Sequence, residues 1–393
     1  MQKKTYDWQQ LEHSALTPIY VNSNEELQKR CQHWLTLPMI AIDTEFQRVD
    51  TFYPIAGLIQ IGDDQQCYLI DPLKITDYQP LAELFQANSV LKIIHAGSED
   101  LELFKQLIGV LPKPLYDTQI AAAFLGWGFT MGLQRLLEHT LQITIGKAET
   151  TSNWLQRPLT TKQELYAALD VAYLAEVCQQ QIKQMQDRNC YPWFLEDSVR
   201  NLTVLESVDD DLESDNYYLR FSQLWSVADY KLVALKELSR WRENECRIRN
   251  MPRNWLLKNQ TIISIINNWP GNTAELGKVE DMRSKNIRED GAAILAILDA
   301  AKERLSESGE VQKINKPIDP VWNKRFKKIR QIAVAAAQEQ GIAVEILVRK
   351  KDLEALVRTR QLYGEYRIPD GLKGWREQLI GDQVLDLMRQ FEK

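Results

Sequence analysis

The 393-residue sequence has no run of about 18 apolar residues, the length a helix needs to cross a bilayer. Its first residues, from Met1 to Trp8, also lack the apolar stretch of a secretory signal. Both absences argue against export and membrane insertion. Cysteine is scarce: Cys31, Cys67, Cys178, Cys190 and Cys246 are odd in number, widely separated and free of any C-x-x-C pair. They form neither a disulfide framework nor a zinc motif, and they suit a reducing cytoplasm. The four histidines, His13, His33, His95 and His139, fall at none of the short spacings of zinc ligands. Carboxylates are left as the metal ligands, which favours a hard cation such as Mg2+ or Mn2+.

What is present is an ordinary globular balance, 44% hydrophobic and 26% charged residues, so wholesale disorder does not fit. At roughly 100–200 residues per domain the length predicts two to four domains. The net charge of -6 is unevenly spread. Residues 1–200 carry 16 Lys and Arg against 24 Asp and Glu, whereas residues 201–393 carry 32 against 30. The acidity therefore belongs to the N-terminal part, and a local basic surface is free to exist further on.

The stretch from Glu206 to Asp215 has six acids in ten residues and reads as a solvated, self-repelling connector. A second break runs from Ser306 to Pro320, where Gly, Ser and two prolines interrupt helical patterning. The expected domains are 1–205, 216–304 and 318–393. In the first, strand candidates at 38–43, 57–62, 67–71 and 90–95 are followed by amphipathic helical runs near 79–87, 97–108, 117–126, 131–141 and 161–187. The three closely spaced early strands suggest a meander before the chain crosses to a parallel strand, hence an α/β domain with a mixed sheet covered by helices. Beyond residue 216 the strand signals nearly vanish. Helical runs at 219–244, 260–268, 288–304, 321–340, 342–348, 351–358 and 373–390 predict two all-α bundles.

Three carboxylate constellations stand out. Asp43 and Glu45 lie two apart at the end of a strand, so both project from one face at the sheet's carboxyl edge. Asp100 follows the strand candidate ending at Ile94, with Ser98 as the expected helix N-cap and Glu99 beside it. Tyr166 and Asp170 are spaced i, i+4 on a helix and stack on one face. Each has a bland reading: strand-end acids, helix-dipole acids, and a core aromatic beside a surface acid. Gathered in one place, four carboxylates with no basic neighbour in sequence would repel one another, and divalent cations offset such repulsion. Two ions about 3.5–4 Å apart clamp the attacking and leaving oxygens of a phosphodiester, which is nuclease chemistry.

Asp43-Thr-Glu45-Phe46, the block from His95 to Phe104 around Asp100, and Tyr166-x3-Asp170 resemble, in order, the three motifs of the four-carboxylate 3'-5' exonuclease superfamily. Within it they are most similar to the bacterial ribonuclease D family. The blocks Leu58 to Ile61, Tyr116 to Phe124 and Trp154 to Thr160 support the likeness. Tyr166, four residues before the last aspartate, with Leu165 where a histidine would otherwise stand, places the chain in the tyrosine branch. Asn153 stands where the family often has an acid.

The resemblance implies a ribonuclease H-like N-terminal domain and 3'-5' exoribonuclease activity on the 3' ends of structured RNAs such as tRNA precursors, releasing nucleoside 5'-monophosphates. Asp43, Glu45, Asp100 and Asp170 would hold two divalent ions, Mg2+ or Mn2+, and Tyr166 would orient the attacking water. Asp117 would either support the metal ligands from behind or be structural. Residues 216–304 resemble the helicase-and-ribonuclease-D C-terminal (HRDC) domain, and 318–393 a more divergent second copy. Between Tyr230 and Lys258 eight basic residues face three acids, with Trp241 and Trp255 interleaved. Such a mixture suits single-stranded nucleic acid, and equally an ordinary core with a solvated face. Phe46, His95, Trp154, Arg240, Arg242 and Arg249 are the candidate RNA contacts. RNA is the expected partner, with no membrane and no obligate protein partner. A DNA exonuclease on the same fold and a catalytically silent RNA-binding scaffold are the competing functions.

Overall fold

The computed structural model of the chain describes residues 7–146, 152–207, 210–308 and 311–392. The chain divides into two compact units, one of residues 1–47, 56–203 and 319–393, the other of residues 48–55 and 204–318.

The first unit is built on a six-stranded sheet: β1 (Ile19–Val21), β2 (Met39–Gln47), β3 (Ile55–Gly62), β4 (Cys67–Ile70), β5 (Leu91–Ile94) and β6 (Leu115–Asp117), in the order β1-β4-β3-β2-β5-β6. β3 and β4 are antiparallel, while β1/β4, β2/β5 and β5/β6 are parallel, so the sheet is mixed as the sequence pattern implies. Ile40, Ala41, Ile42, Leu58, Ile59 and Ile61 are buried, as expected of central strands with both faces covered. One face packs Ile40, Ile42, Ile59 and Ile61 against Trp34, Phe85 and Phe104. The other sets Leu58 and Leu69 against Trp154, Leu159 and Ala167. Two strands escaped the sequence reading, because β1 and β6 are only three residues long and show no alternation.

Helix Thr161–Ala172 starts at a capping box, with Thr160 accepting from the Gln163 backbone and the Gln163 side chain returning to Thr160. It packs on β2 and β4. A Cβ on Gly62 would lie 2.8 Å from the Val171 carbonyl, so only glycine lets the helix sit this close to the sheet. The single helix expected over 161–187 is broken at Tyr173, whose phenol donates to Glu12 Oε1 at 2.9 Å, and it resumes as Leu174–Asp187.

Residues 319–393 form helices Trp322–Gln340, Val344–Leu347, Lys350–Tyr363 and Trp375–Gln390 in the same unit. Their anchor is Asp197 on helix Tyr191–Ser207. It accepts from Trp375 Nε1 at 3.0 Å and from both terminal nitrogens of Arg376, and the Trp375 ring stacks on Trp193 at 5.2 Å.

The second unit is helical, with Asp229–Ile248 and Ser284–Ser308 as its long helices and Leu235, Leu238, Ile262, Ile265, Ile294 and Leu298 in its core. Phe52 joins that core, its backbone N–H donating to Asn250 Oδ1 at 3.0 Å. The acidic connector expected over 206–215 is corrected in part: residues Asp210–Asn216 are a helix, with Val208 and Asp209 outside the described residues. Two of its acids are partnered, Glu213 with Arg220 and Arg247, and Asp215 with Arg240. Of the second break, Gly309 and Glu310 also lie outside the described residues. Among the described residues no helix is long and apolar enough to cross a membrane.

Candidate active site

β2 carries Asp43 and Glu45 to the carboxyl end of the central sheet, and the i, i+2 spacing turns both to one side. Helix Thr161–Ala172 brings Asp170 to them. One carboxylate oxygen each from Asp43, Glu45 and Asp170 lies within 4.8 Å of the others. Asp100 sits in the first turn of helix Ser98–Ile108, where the Thr44 hydroxyl donates to its Oδ1. The N-cap there is Gly97, one residue before the expected Ser98, and it makes no side-chain cap bond. The turn is held by Asp117 instead. Its carboxylate accepts from the backbone N–H groups of Ala96 at 3.1 Å and Gly97 at 3.2 Å, and it also caps the helix beginning at Thr118. This clamp holds Ala96 in the left-handed region at φ 57°.

The electrostatics are those of crowded, buried acids. Burial first, then the charges of Asp100, Asp170 and Glu45, raise the Asp43 carboxyl well above the usual range. Burial, then Asp170 and Asp100, push Glu45 up to about 9. Asp170 rises to about 7 through burial, opposed by the hydrogen bond that the Tyr166 hydroxyl donates to it. Asp100 rises to about 6 through burial, opposed by the Thr44 bond. Burial and the surrounding carboxylates keep the Tyr166 phenol protonated at neutral pH. A site that so resists holding its own negative charge is one that cations stabilise. Its donors are all carboxylate oxygens, with no imidazole or thiolate among them, so the residues fit a hard divalent ion.

The candidate RNA contacts fare unevenly. Phe46 is half-buried, next to Glu45 on β2. His95 Nδ1 is 2.8 Å from Thr118 Oγ1, and burial lowers its pKa. Arg240 is half-exposed beside Asp215 at 3.2 Å, and Arg249 donates to Asp290 and Glu245, both at 2.7 Å. Two expectations are corrected. Trp154 is 2% exposed and packs under Tyr166, Leu58 and Leu69, leaving no ring face for a base. Arg242 is fully buried, donating to the Leu257 carbonyl at 2.9 Å and Asn259 Oδ1 at 2.8 Å, so no nucleic acid reaches it.

Three features went unread in the sequence. Thr44 orients Asp100. Arg157 forks onto Asp71 at 2.6 and 2.8 Å and also binds the Gly57 and Trp154 carbonyls, fixing the segment that leads into the Tyr166 helix. His33 comes to 3.7 Å from Asp63 with Asp64 nearby, a second group of possible ligands assembled by the fold rather than by spacing.

Comparison with known proteins sets this geometry in context. Residues 18–186 match the family model of the 3'-5' exonuclease, which makes this region the domain of a 3'-5' exonuclease. Residues 231–298 match the HRDC domain, and 320–384 the C-terminal HRDC domain of ribonuclease D. The chain is 39% identical to ribonuclease D of Pseudomonas paraeruginosa over 94% of its length and 97% of that protein's. It is 30% identical to ribonuclease D of Escherichia coli K12, covering 94% and 98%. The crystal structure of Escherichia coli RNase D, described as an exoribonuclease involved in structured RNA processing, superposes with a TM-score of 0.87 over 95% of this chain and 99% of that one. The chain belongs to the ribonuclease D family. It is a 3'-5' exoribonuclease of a divalent-metal-dependent class.

Proposed function

We propose that this exoribonuclease trims the 3' ends of structured RNAs, tRNA precursors among them, in the cytoplasm, releasing one nucleoside 5'-monophosphate per cleavage. The observation that carries the reading is the convergence of Asp43, Glu45 and Asp170, with Asp100 fastened to the same strand by Thr44. These four residues hold two divalent ions, Mg2+ or Mn2+. Such ions, when bound, supply an activated water and offset charge on the departing 3' oxygen.

The remaining work belongs to the chain. Thr44 and the Asp117-clamped turn fix Asp100, and the Gly62 contact sets the depth of the helix bearing Asp170. The Tyr166 phenol keeps its proton at pH 7 and so cannot act as a general base; it serves as a hydrogen-bonding guide that orients the attacking water beside Asp170. Among the domains 1–205, 216–304 and 318–393, the first cleaves, and the two HRDC-type domains add affinity for the RNA. Phe46 and His95 contact the 3' nucleotide, while Arg240 and Arg249 exchange their present ion pairs for phosphates.

The test is a tRNA precursor carrying several extra 3' nucleotides, incubated with the protein in Mg2+ or Mn2+. The expected result is stepwise loss of those nucleotides as 5'-monophosphates. Cleavage of single-stranded DNA at the same rate would contradict the RNA assignment, because discrimination must come from the 2'-OH.

A further inference from the structure

The loop between helices Thr118–Phe124 and Leu133–Thr140 borders a cleft of about 460 Å3. Its walls include Trp127, Phe129, Met131, Arg135 and His139. We propose that this cleft is a stacking subsite for unpaired RNA nucleotides on the 5' side of the one being removed, an inference that rests on the exoribonuclease reading above.

Four observations carry it. Phe129 is 49% exposed and presents an apolar ring, and every nucleobase has a face that stacks on such a ring. Trp127 and His139 stand beside it with ring centres 4.5 Å apart, their planes tilted by 52°. Next to Phe129, Thr130 is held at φ 58°, a conformation that a β-branched residue rarely adopts and that concentrates at functional sites. Finally, the loop is fastened to the catalytic centre. The Met131 carbonyl accepts from Gln119 Nε2 at 3.0 Å, and the Met131 backbone lies against His95. Gln119 belongs to the helix capped by Asp117, the same carboxylate that clamps the turn leading to Asp100.

The helix beneath gives the subsite a rigid floor, since Leu136 and Leu137 are fully buried. Arg135, in the first turn of that helix, is exposed and forms no ion pair with another described residue, which frees it for a phosphate. A chain leaving the carboxylate site past His95 and Met131 thus meets aromatic faces and then a cation, the combination used to hold single strands without reading sequence.

The experiment compares two substrates: a ten-nucleotide single-stranded RNA, and the p-nitrophenyl ester of uridine 5'-monophosphate, which occupies only the cleavage site. The readout is the ratio of kcat/KM on the RNA to that on the ester. Phe129→Leu should lower the ratio about 5- to 100-fold, the range of one base–aromatic stack, and Phe129→Trp should keep it within about twofold. Arg135→Gln should flatten the dependence of log KM on log salt by about 0.7. A wild-type ratio in Phe129→Leu, or an equal loss in Phe129→Leu and Phe129→Trp, would overturn the subsite. If the wild-type protein cleaved no RNA at all, the exoribonuclease reading would fail instead, so the two failures are told apart.

Discussion

Replacing Gly62 by alanine perturbs the catalytic centre without touching a catalytic group. The added Cβ meets the Val171 carbonyl at 2.8 Å, whereas ordinary contacts begin at 3.4 Å, so strand and helix must separate by about 0.6 Å. Overpacking of this kind costs about 1–3 kcal/mol of stability. The functional cost is steeper, because Asp170 is the residue before Val171 and Tyr166 lies one turn further back. A displacement near 1 Å in a preorganised site lowers rate by about 100-fold, so Gly62→Ala should lose about 10- to 100-fold in kcat with little change in KM. The assay is single-turnover and steady-state cleavage of a 5'-labelled oligoribonucleotide, alongside the thermal midpoint. Gly132→Ala is the control, since no atom of the described residues lies within 4 Å of its added Cβ. A Gly62→Ala protein with wild-type kcat and wild-type melting would refute the claim that this contact sets the position of Asp170.

Tyr166→Phe should lower kcat by about 10- to 100-fold while RNA affinity stays within about twofold; a pure binding defect in steady-state and filter-binding assays would remove the phenol from the chemical step. Metal binding should depend on pH, because with Asp100 raised to about 6, Asp170 to about 7 and Glu45 to about 9 a cation must displace protons. The raised values also mean that the folded, metal-free protein binds more protons than the unfolded chain above pH about 4, so its stability falls as pH rises toward those values. Melting curves should show this slope, Mg2+ or Mn2+ should oppose it and Asp170→Asn should flatten it; a metal-free midpoint unaffected by Asp170→Asn at every pH would contradict the site electrostatics. Arg376→Leu strands the Asp197 carboxylate in a buried setting and should cost about 3–5 kcal/mol, with Asp197→Leu/Arg376→Leu recovering part of it; denaturant unfolding of the single and double variants measures the difference.

Much of the site could be read in the chain because its parts obey local periodicities. Asp43 and Glu45 share a face by strand alternation, and Tyr166 and Asp170 by helical stacking, and the fold brings both pairs together. What escaped was long-range. The Thr44 bond spans 56 residues and the Arg157–Asp71 fork 86, and neither leaves a pattern in sequence. The same holds for His33 with Asp63, which only the packing of helix Asn24–Trp34 near the β3–β4 turn brings close. Composition misled where side chains changed partners. The basic run from Tyr230 to Lys258 hides Arg242 and Glu243 inside the bundle, bonded to Leu257, Asn259 and Arg253, and Glu213 and Asp215 find arginines rather than water. Trp154 reads as a candidate RNA contact because burial cannot be seen in an isolated W-L-Q-R block.

The central claim is that the four carboxylates and their ions remove nucleotides from an RNA 3' end. Its most direct test is digestion of matched 5'-labelled single-stranded RNA and DNA, with a 3'-phosphate RNA as control, in Mg2+, Mn2+ or EDTA, using the wild-type and Asp43→Ala proteins. The account predicts a ladder shortening from the 3' end of RNA that needs the metal, is much weaker on DNA, is blocked by the 3'-phosphate and is absent in Asp43→Ala. Full activity of Asp43→Ala, or cleavage that persists in EDTA, would contradict it.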